Sequence, residues 1–253
     1  MAKTPFDDYL REIQLQREIW HRKGVLRILY HHWYRKIVRS LAPLSPVVEL
    51  GSGCGNFKEF YPACIATDVV AGGPWIDRVM DAQKLSFGPA EVGNFVTMDV
   101  IHHLQRPLDF LRQAARATKP GGRLILCEPA ATPAARLVYR NHHEPLDVNW
   151  DLFGLDGQPP LDDPGHTFAN MGIGEILFWR QRQRTLEALP ELRLVKAWKF
   201  AFLLYPLTGG YNYRSLVPQM GLEFAFRLED ILLSPLANWL TGLRMIVVLE
   251  KRA

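Results

Sequence analysis

The segment Val47-Val48-Glu49-Leu50-Gly51-Ser52-Gly53-Cys54-Gly55-Asn56 is the most informative part of this sequence. Its first four residues form a short, mainly apolar run that stops at a glycine, which is typical of a buried strand. Three glycines follow at alternate positions, and glycine permits positive φ angles and close approach of a ligand to the backbone. The segment therefore predicts a strand, a ligand-binding loop and the first turn of a helix.

The glycine spacing separates several classes of nucleotide-binding loop. A dinucleotide-binding loop usually reads GxGxxG, whereas here the third glycine is Gly55, one place early, and Asn56 stands at the expected position. No GKS or GKT follows, which excludes the phosphate-binding loop of nucleoside-triphosphate enzymes. A nicotinamide oxidoreductase consequently remains only a weak alternative.

Further strands and helices alternate along the chain on both sides of this loop. The apolar runs predict strands at 63–70, 75–80, 94–98, 123–127, 192–204 and 244–251, and helices at 7–41, 56–61, 107–118 and 175–189. Strands that alternate with helices favour a parallel sheet with right-handed crossovers.

The ExGxGxG pattern of residues 49–55 resembles the first motif of class I S-adenosylmethionine-dependent methyltransferases. Four further motifs of that family follow in order. Asp68 stands 68 − 49 = 19 positions after Glu49, Asp81-Ala82 follows the third strand, and Met98-Asp99-Val100-Ile101-His102-His103-Leu104 follows the fourth. Thr118-Lys119-Pro120-Gly121-Gly122-Arg123-Leu124 resembles the LKPGGRL turn before the fifth strand. The nearest resemblance is to the "type 11" group of small-molecule methyltransferases.

This resemblance implies the α/β fold class, with a Rossmann-like, seven-stranded, doubly wound sheet that is mostly parallel and has an antiparallel last strand. It also implies S-adenosyl-L-methionine as cofactor. The residues that match the family's cofactor-binding positions are Glu49, Gly51, Ser52, Gly53, Gly55, Asn56, Asp68, Val69, Asp81, Ala82 and Met98.

The resemblance assigns four of these positions to parts of the cofactor. Asp68 would bind the ribose hydroxyls, and a carboxylate suits that role because it accepts two strong hydrogen bonds. Asp81-Ala82 would contact adenine. Glu49 would lie near the methionine end of the cofactor, or would simply hold the loop at the end of its strand.

One interval departs from the family pattern. Asp68 and Asp81 are only 81 − 68 = 13 positions apart, and Ala71-Gly72-Gly73-Pro74 lies between them. The family usually places a full helix there, for which this chain has no room. We therefore expect the adenine side to be more open, or to be covered by another segment.

His102 and His103 are the candidate catalytic residues. Histidine titrates near neutral pH and can take a proton from a hydroxyl or amine acceptor. O-methylation with His103 as base is the preferred mechanism. In the alternative, one histidine caps the loop and the other packs against the cofactor or a helix. Some members of the family carry this pair and methylate carbon, so the pair leaves the acceptor atom open.

Two later segments are candidates for contact with the acceptor. His142-His143-Glu144 is interpreted as a solvated loop or substrate contact, and no metal site is predicted because adjacent histidines point in different directions. Tyr139 and Arg140 either bind an anionic substrate or form an ordinary helix face.

Tyr211 and Tyr213 follow two glycines late in the chain. Their position suits a mobile lid with aromatic surface over a substrate. The alternative is a packed loop or an oligomer contact, and a homo-oligomer is compatible with the sequence.

The length suits one large α/β domain or two small ones, and the resemblance implies a single methyltransferase domain over residues 1–253. Within it we expect an N-terminal helical extension at 1–44, a lid loop at 152–174 and an insertion at 205–241. A content of 48% hydrophobic and 22% charged residues excludes disordered and collagen-like chains. The net charge of +4 favours an anionic or lipid-linked acceptor without requiring nucleic acid.

The cysteines, the N-terminal residues and the lack of a predicted membrane span bear on the cellular compartment of the protein. Cys54, Cys64 and Cys127 are scattered, with no CxxC pair, which disfavours a disulfide framework and suits a reducing cytoplasm. The N-terminal residues lack the apolar core of a signal peptide, and no segment is predicted to span a membrane.

The preferred interpretation is a cytoplasmic methyltransferase that uses S-adenosylmethionine and acts on a small molecule. Alternatives are a quinone- or lipid-type C-methyltransferase, and a non-catalytic scaffold that keeps the cofactor site. A DNA or protein-glutamine enzyme is disfavoured because residues 98–101 read Met-Asp-Val-Ile rather than NPPY.

Overall fold

The computed structural model describes residues 6–140, 144–153 and 169–253, apart from the side chains of Pro235 and Asn238. Within these ranges seven strands form one sheet, in the order β3-β2-β1-β4-β5-β7-β6. The strands are β1 (Val47–Leu50), β2 (Ile65–Asp68), β3 (Arg78–Val79), β4 (Val92–Met98), β5 (Thr118–Pro129), β6 (Leu192–Phe200) and β7 (Arg244–Lys251).

The pairing pattern confirms the predicted fold class. The pairs among β1, β2, β3, β4 and β5 are all parallel, whereas β7 is antiparallel to both β5 and β6. The order reverses at β1, from which the chain winds outward in both directions. Ligands bind at such a switch point in open α/β sheets, at the carboxyl ends of the strands.

Helices cover both faces of this sheet. The α-helices are α1 (Asp7–Arg22), α2 (Gly24–Val38), α3 (Asn56–Phe60), α4 (Pro107–Ala117), α5 (Pro133–Tyr139), α6 (Ile173–Glu175), α7 (Arg182–Ala188), α8 (Leu204–Leu207) and α9 (Leu222–Leu236). A 3-10 turn spans Ile101–His103, and π-helical turns span Ile176–Arg180 and Ala237–Thr241. No helix in the described ranges is long and apolar enough to cross a membrane.

Two hydrophobic cores result, one on each face of the sheet. Phe95, Phe110 and Leu111 belong to the core under α4, whereas Leu29 and Trp33 belong to the core under α2. The central strands are buried on both faces, so they are apolar along most of their length rather than alternating. The three cysteines are buried and form no disulfide with one another.

The single helix expected at 7–41 is wrong, because the structure has two helices that meet at Lys23. Lys23 has φ −104° and ψ 86°, outside the helical region. Gly24 follows, where an added Cβ would lie 2.3 Å from Oε1 of Gln219. Glycine at this position weakens helix continuity by about 1 kcal/mol. The helix expected at 175–189 is likewise divided, at Gln181.

Candidate functional site

The glycine loop turns from β1 into α3 in a conformation that glycine favours. Gly51, Gly53 and Gly55 have φ angles of 69°, 49° and 74°, all in the left-handed region. The backbone N–H of Ser52 donates to the carbonyl of Thr67 at 2.9 Å, which holds the loop against the end of β2.

The three glycines face different surroundings. A Cβ on Gly51 would lie 2.5 Å from Val100, and one on Gly55 would lie 2.3 Å from Trp75, so both positions are closed by packing. A Cβ on Gly53 would meet nothing within 4 Å. The backbone at Gly53 therefore borders open space, where a ligand can approach it.

Asp68, the last residue of β2, is bonded directly to this loop. Its Oδ2 accepts from the backbone N–H of Gly53 at 2.8 Å and from the hydroxyl of Tyr9 at 3.3 Å. Its Oδ1 accepts from the N–H of Val70 at 3.3 Å. Burial raises the pKa of Asp68, and the backbone donors from Gly53 and Val70 oppose that rise. Asp68, the residue predicted to bind the ribose, is therefore in direct contact with the predicted ligand-binding loop.

Helix α1 covers the interval after Asp68 that has no helix of its own. Gln14 donates from Nε2 to the carbonyl of Gly72 at 2.6 Å, and Arg17 donates to the carbonyl of Cys54 at 3.0 Å. Ile13 is buried in the same cluster as Val70. Of the two arrangements expected for the adenine side, the structure has the covered one.

Buried polar atoms without hydrogen-bond partners among the described residues also lie at this loop. They are Oε2 of Glu49, Oγ of Ser52 and Oδ1 of Asn56. Burial raises the pKa of Glu49 to about 7, although the Ser52 hydroxyl partly offsets the effect. Orphaned polar groups of this kind mark a place where a polar ligand would supply the missing partners.

The remaining predicted cofactor residues lie at the same edge of the sheet. The N–H of Met80 donates to the carbonyl of Asp68 at 2.7 Å, which brings the Asp81-Ala82 pair beside the end of β2. The Asp81 carboxylate accepts from the N–H of Gln83 at 2.8 Å. Val69 follows β2, and Met98 is the last residue of β4.

His102 is held in a buried ion pair. Its Nδ1 lies 2.5 Å from Oε2 of Glu128, and the other oxygen of Glu128 accepts from the N–H groups of Val100 and Ile101. Burial alone would lower the pKa of His102, but the Glu128 carboxylate outweighs it and, with Glu144, raises the pKa to about 10. His102 is therefore an imidazolium near neutral pH, which argues against it as a base.

His103 has a different environment from its neighbour. Its side chain is 40% exposed, and its Nε2 lies 3.9 Å from Oε1 of Glu144. Glu144 also lies 3.6 Å from Nε2 of His102. These three side chains bring potential ligand atoms within 4.8 Å of one another, as do those of Asp99, His102 and Glu128. His142 and His143 lie outside the described residues.

The sequence did not indicate the contact between Asp99 and Arg244. Asp99 follows β4 with φ 58°, an unusual conformation for a residue other than glycine. Nη1 of Arg244, the first residue of β7, lies 2.6 Å from Oδ1 of Asp99. Arg244 is 4% exposed, and its guanidinium lies over the ring of Trp33 at 5.3 Å. The sequence signal for this contact was Arg244 itself, an arginine directly before the apolar run at 245–249.

Aromatic residues from the later part of the chain complete the surroundings. Tyr211 accepts a 2.6 Å hydrogen bond from Nδ2 of Asn56, so this tyrosine packs on the glycine loop. Tyr213 is 78% exposed. Tyr139 donates to the carbonyl of Leu243 at 3.1 Å, and burial raises its pKa well above the ordinary value. Arg140, which follows it, is exposed.

Comparison with known proteins agrees with this fold. The family described as "Methyltransferase domain" matches residues 25–158. A comparison with curated protein sequences gives no match.

Several solved structures share the fold at low sequence identity. A SAM-dependent methyltransferase from Archaeoglobus fulgidus has a TM-score of 0.54 at 14% identity, with 89% of this chain and 94% of that chain covered. A chain from the Haloferax volcanii complex with the Trm112 methyltransferase activator has a TM-score of 0.56 at 14% identity, with 98% and 96% covered. Since the family match spans more than half of the sequence, this chain belongs to the methyltransferase-domain family and has the class I fold of S-adenosylmethionine-dependent methyltransferases.

Proposed function

We propose that this protein binds S-adenosyl-L-methionine on the loop at 51–56 and transfers its methyl group to a small-molecule acceptor. The observation that carries the proposal is the open space at Gly53 beside the fixed Asp68 carboxylate. The orphaned polar atoms of Glu49 and Asn56 border the same loop and fit a polar ligand.

Different residues of the chain would bind different parts of the cofactor. Asp68 would accept hydrogen bonds from the ribose hydroxyls, in place of or beside the Tyr9 hydroxyl that now contacts it. Asp81 and Ala82 would border the adenine, and Glu49, Gly51, Ser52, Gly55 and Asn56 would line the methionine end. Val69 and Met98 would add apolar contacts. Helix α1 would keep water away, because Tyr9 and Ile13 already pack over this region.

When bound, the cofactor supplies a methyl group already activated on a sulfonium. The protein's task is then to place the acceptor in line with the methyl group. Positioning of this kind can lower the activation barrier by roughly 7–11 kcal/mol. We place the acceptor where β4 ends and β7 begins, beside Asp99, Arg244 and His103. These side chains stand near the switch point where such sheets bind ligands.

Within that arrangement His103 is the proposed base for an O-methylation. It is the more exposed of the two histidines, and Glu144 is close enough to stabilise its imidazolium after proton uptake. His102 would act as a positioning residue, since its pair with Glu128 fixes the turn that carries His103. The buried, free cysteines suit a reducing compartment such as the cytoplasm.

Calorimetric titration with S-adenosylhomocysteine, followed by assays with labelled S-adenosylmethionine, tests the proposal. We expect one-to-one binding, and transfer to a hydroxylated acceptor when phenols, carboxylates, amines and quinones are compared. Transfer to carbon would replace O-methylation by the C-methyltransferase alternative. Cofactor binding without transfer to any class would indicate a scaffold, and absence of binding at high micromolar cofactor would refute the proposal.

A further inference from the structure

Two neighbouring histidines converge on one carboxylate in the turn that follows β4. Nε2 of His102 lies 3.6 Å from Oε2 of Glu144, and Nε2 of His103 lies 3.9 Å from Oε1 of the same carboxylate. The two imidazole rings lie side by side, with centroids 4.2 Å apart and planes inclined by 38°. We call these three residues the histidine–glutamate cluster.

The sequence argument against a metal site, that adjacent histidines point in different directions, does not hold for His102 and His103. Both belong to the 3-10 turn Ile101–His103, and the Nε2 atoms of both rings face Glu144. Each of the three side chains offers one ligand atom, and these atoms all lie within 4.8 Å of one another. The turn therefore brings together the donors of a metal site.

His102 is held in the orientation of a metal ligand by Glu128. Nδ1 of His102 bonds to Oε2 of Glu128 at 2.5 Å, which leaves Nε2 as the nitrogen that faces the cluster. The other oxygen of Glu128 accepts from the N–H groups of Val100 and Ile101 at 3.1 and 2.9 Å, so the carboxylate is itself fixed. Histidines that bind metal ions usually have such a carboxylate at their second ring nitrogen, because it fixes the tautomer and the ring orientation.

The spacing of the ligand atoms fits a small divalent ion. A zinc ion lies roughly 2.0–2.2 Å from histidine nitrogen and carboxylate oxygen, and tetrahedral coordination then separates neighbouring ligand atoms by about 3.4 Å. The separations of 3.6 and 3.9 Å exceed this value only slightly, and small rotations of Glu144 and His103 would close the difference. Two histidines and one carboxylate are also the donor set of zinc sites that keep a fourth position open.

Exposure to solvent differs along the cluster. The side chain of His102 is 4% exposed and that of Glu144 is 17% exposed, whereas that of His103 is 40% exposed. An ion bound here would be shielded on the side of His102 and accessible on the side of His103. The open side gives the ion a path of entry and gives a water molecule access to the fourth position.

A second group of potential ligands, Asp99, His102 and Glu128, is as closely spaced but is already engaged. Asp99 pairs with Arg244 at 2.6 Å, and both oxygens of Glu128 are within hydrogen-bonding distance of the turn at 100–102. This group therefore orients His102 rather than binding the ion.

From these contacts we infer that His102, His103 and Glu144 bind one divalent transition-metal ion of the zinc type. Imidazole nitrogen suits Zn²⁺ and similar ions, whereas Mg²⁺ prefers oxygen ligands. The ion takes the place of the proton on Nε2 of His102, and that proton is released to solvent.

The bound ion also uses the lone pair on Nε2 of His103. The metal-loaded protein would consequently lack the base of the proposed O-methylation. This consequence depends on the proposed function, whereas the metal site itself depends only on the geometry of the cluster.

Calorimetric titration of the chelator-treated full chain with Zn²⁺, without cofactor or acceptor, tests the inference. We expect one high-affinity site, and Mg²⁺ should bind roughly 100-fold more weakly. His103→Ala and Glu144→Gln should each lower the Zn²⁺ affinity by roughly 100-fold, because each removes a ligand. Glu128→Gln should lower it by about 10- to 100-fold, the usual effect of losing a carboxylate that orients a metal-bound histidine.

The matched control is His21→Ala, because His21 is an exposed histidine on α1. This variant should bind Zn²⁺ like the wild type, and circular dichroism should show that all variants are folded. In NMR spectra, Zn²⁺ should shift the ring resonances of His102 and His103 and leave those of His21 in place.

Equal Zn²⁺ affinity in the wild type, His103→Ala and Glu144→Gln would overturn the inference. Absence of Zn²⁺ binding by the wild type would overturn it as well. Because cofactor and acceptor are absent throughout, neither result bears on the proposed methyl transfer, which the titration with S-adenosylhomocysteine tests separately.

Discussion

The N–H of Gly53 donates to Oδ2 of Asp68 at 2.8 Å, which joins the loop after β1 to the end of β2. The two residues are 68 − 53 = 15 positions apart in the sequence. The loop and the carboxylate therefore form one unit, in which the aspartate is oriented before any ligand arrives. Preorganisation of this kind reduces the ordering cost of binding.

Asp68→Ala should weaken cofactor binding by about 1.5–3 kcal/mol, the usual contribution of a hydrogen bond to a charged group. Part of the loss reflects a looser loop, because the Gly53 N–H would lose its acceptor. Calorimetry with S-adenosylhomocysteine measures the change. Affinity equal to that of the wild type would remove Asp68 from the ribose site.

Gly53→Val should abolish cofactor binding and leave the fold intact. The valine side chain would enter the open space beside the loop, and the positive φ adds strain of roughly 1–2 kcal/mol. Gly121→Val is the matched control, because Gly121 also has a positive φ and no neighbour within 4 Å. Both variants should lose stability in thermal unfolding, but only the first should lose affinity. Equal affinities in the two would contradict this assignment.

Glu128→Gln should destabilise the fold near neutral pH by about 3–5 kcal/mol, since it breaks a buried ion pair. The pH dependence has a defined sign. The pKa of His102 is raised to about 10, so its contribution is complete below about pH 6.5 and is lost as pH rises towards 10.

Denaturant unfolding at several pH values measures this effect. Wild-type stability should fall more steeply than that of Glu128→Gln between pH 7 and 9. Histidine resonances in NMR should show His102 still protonated at pH 8 in the wild type. A His102 that titrates at its ordinary pKa would show that the pair is not formed.

His103→Ala should lower turnover by roughly 100-fold or more, the usual contribution of a general base. Cofactor affinity should change little, because the variant leaves Asp68 and the glycine loop intact. Turnover and calorimetry on the same preparation separate the two effects. Full activity would exclude His103 as the base and would direct attention to Asp99, whose side chain is 36% exposed at the end of β4.

Local patterns were sufficient to predict the central part of the sheet and its loop. The run from Val47 to Asn56 specifies strand, turn and helix through residues next to each other in the chain, and the structure has these elements in place. The apolar run at 63–70 likewise predicted β2, and the resemblance to the methyltransferase family singled out Asp68 at its end. Because such signals lie within about ten residues, they can be recognised without knowledge of the tertiary structure.

Contacts between distant residues could not be predicted in this way. Asp99 and Arg244 are 244 − 99 = 145 positions apart, and the pairing of β4 with β5 and of β5 with β7 brings them together. The break between α1 and α2 at Lys23 was likewise missed, although Gly24 beside it is a poor helix former. His102 resembled a base in the sequence, and its protonated state depends on Glu128 from the next strand.

A crystal structure of the protein with S-adenosylhomocysteine would test the cofactor site most directly. The account predicts ribose hydroxyls within hydrogen-bonding distance of the Asp68 carboxylate and the amino-acid end of the ligand against the backbone at Gly53. A ligand bound elsewhere, or a loop that still excludes it at saturating concentration, would contradict the proposed activity.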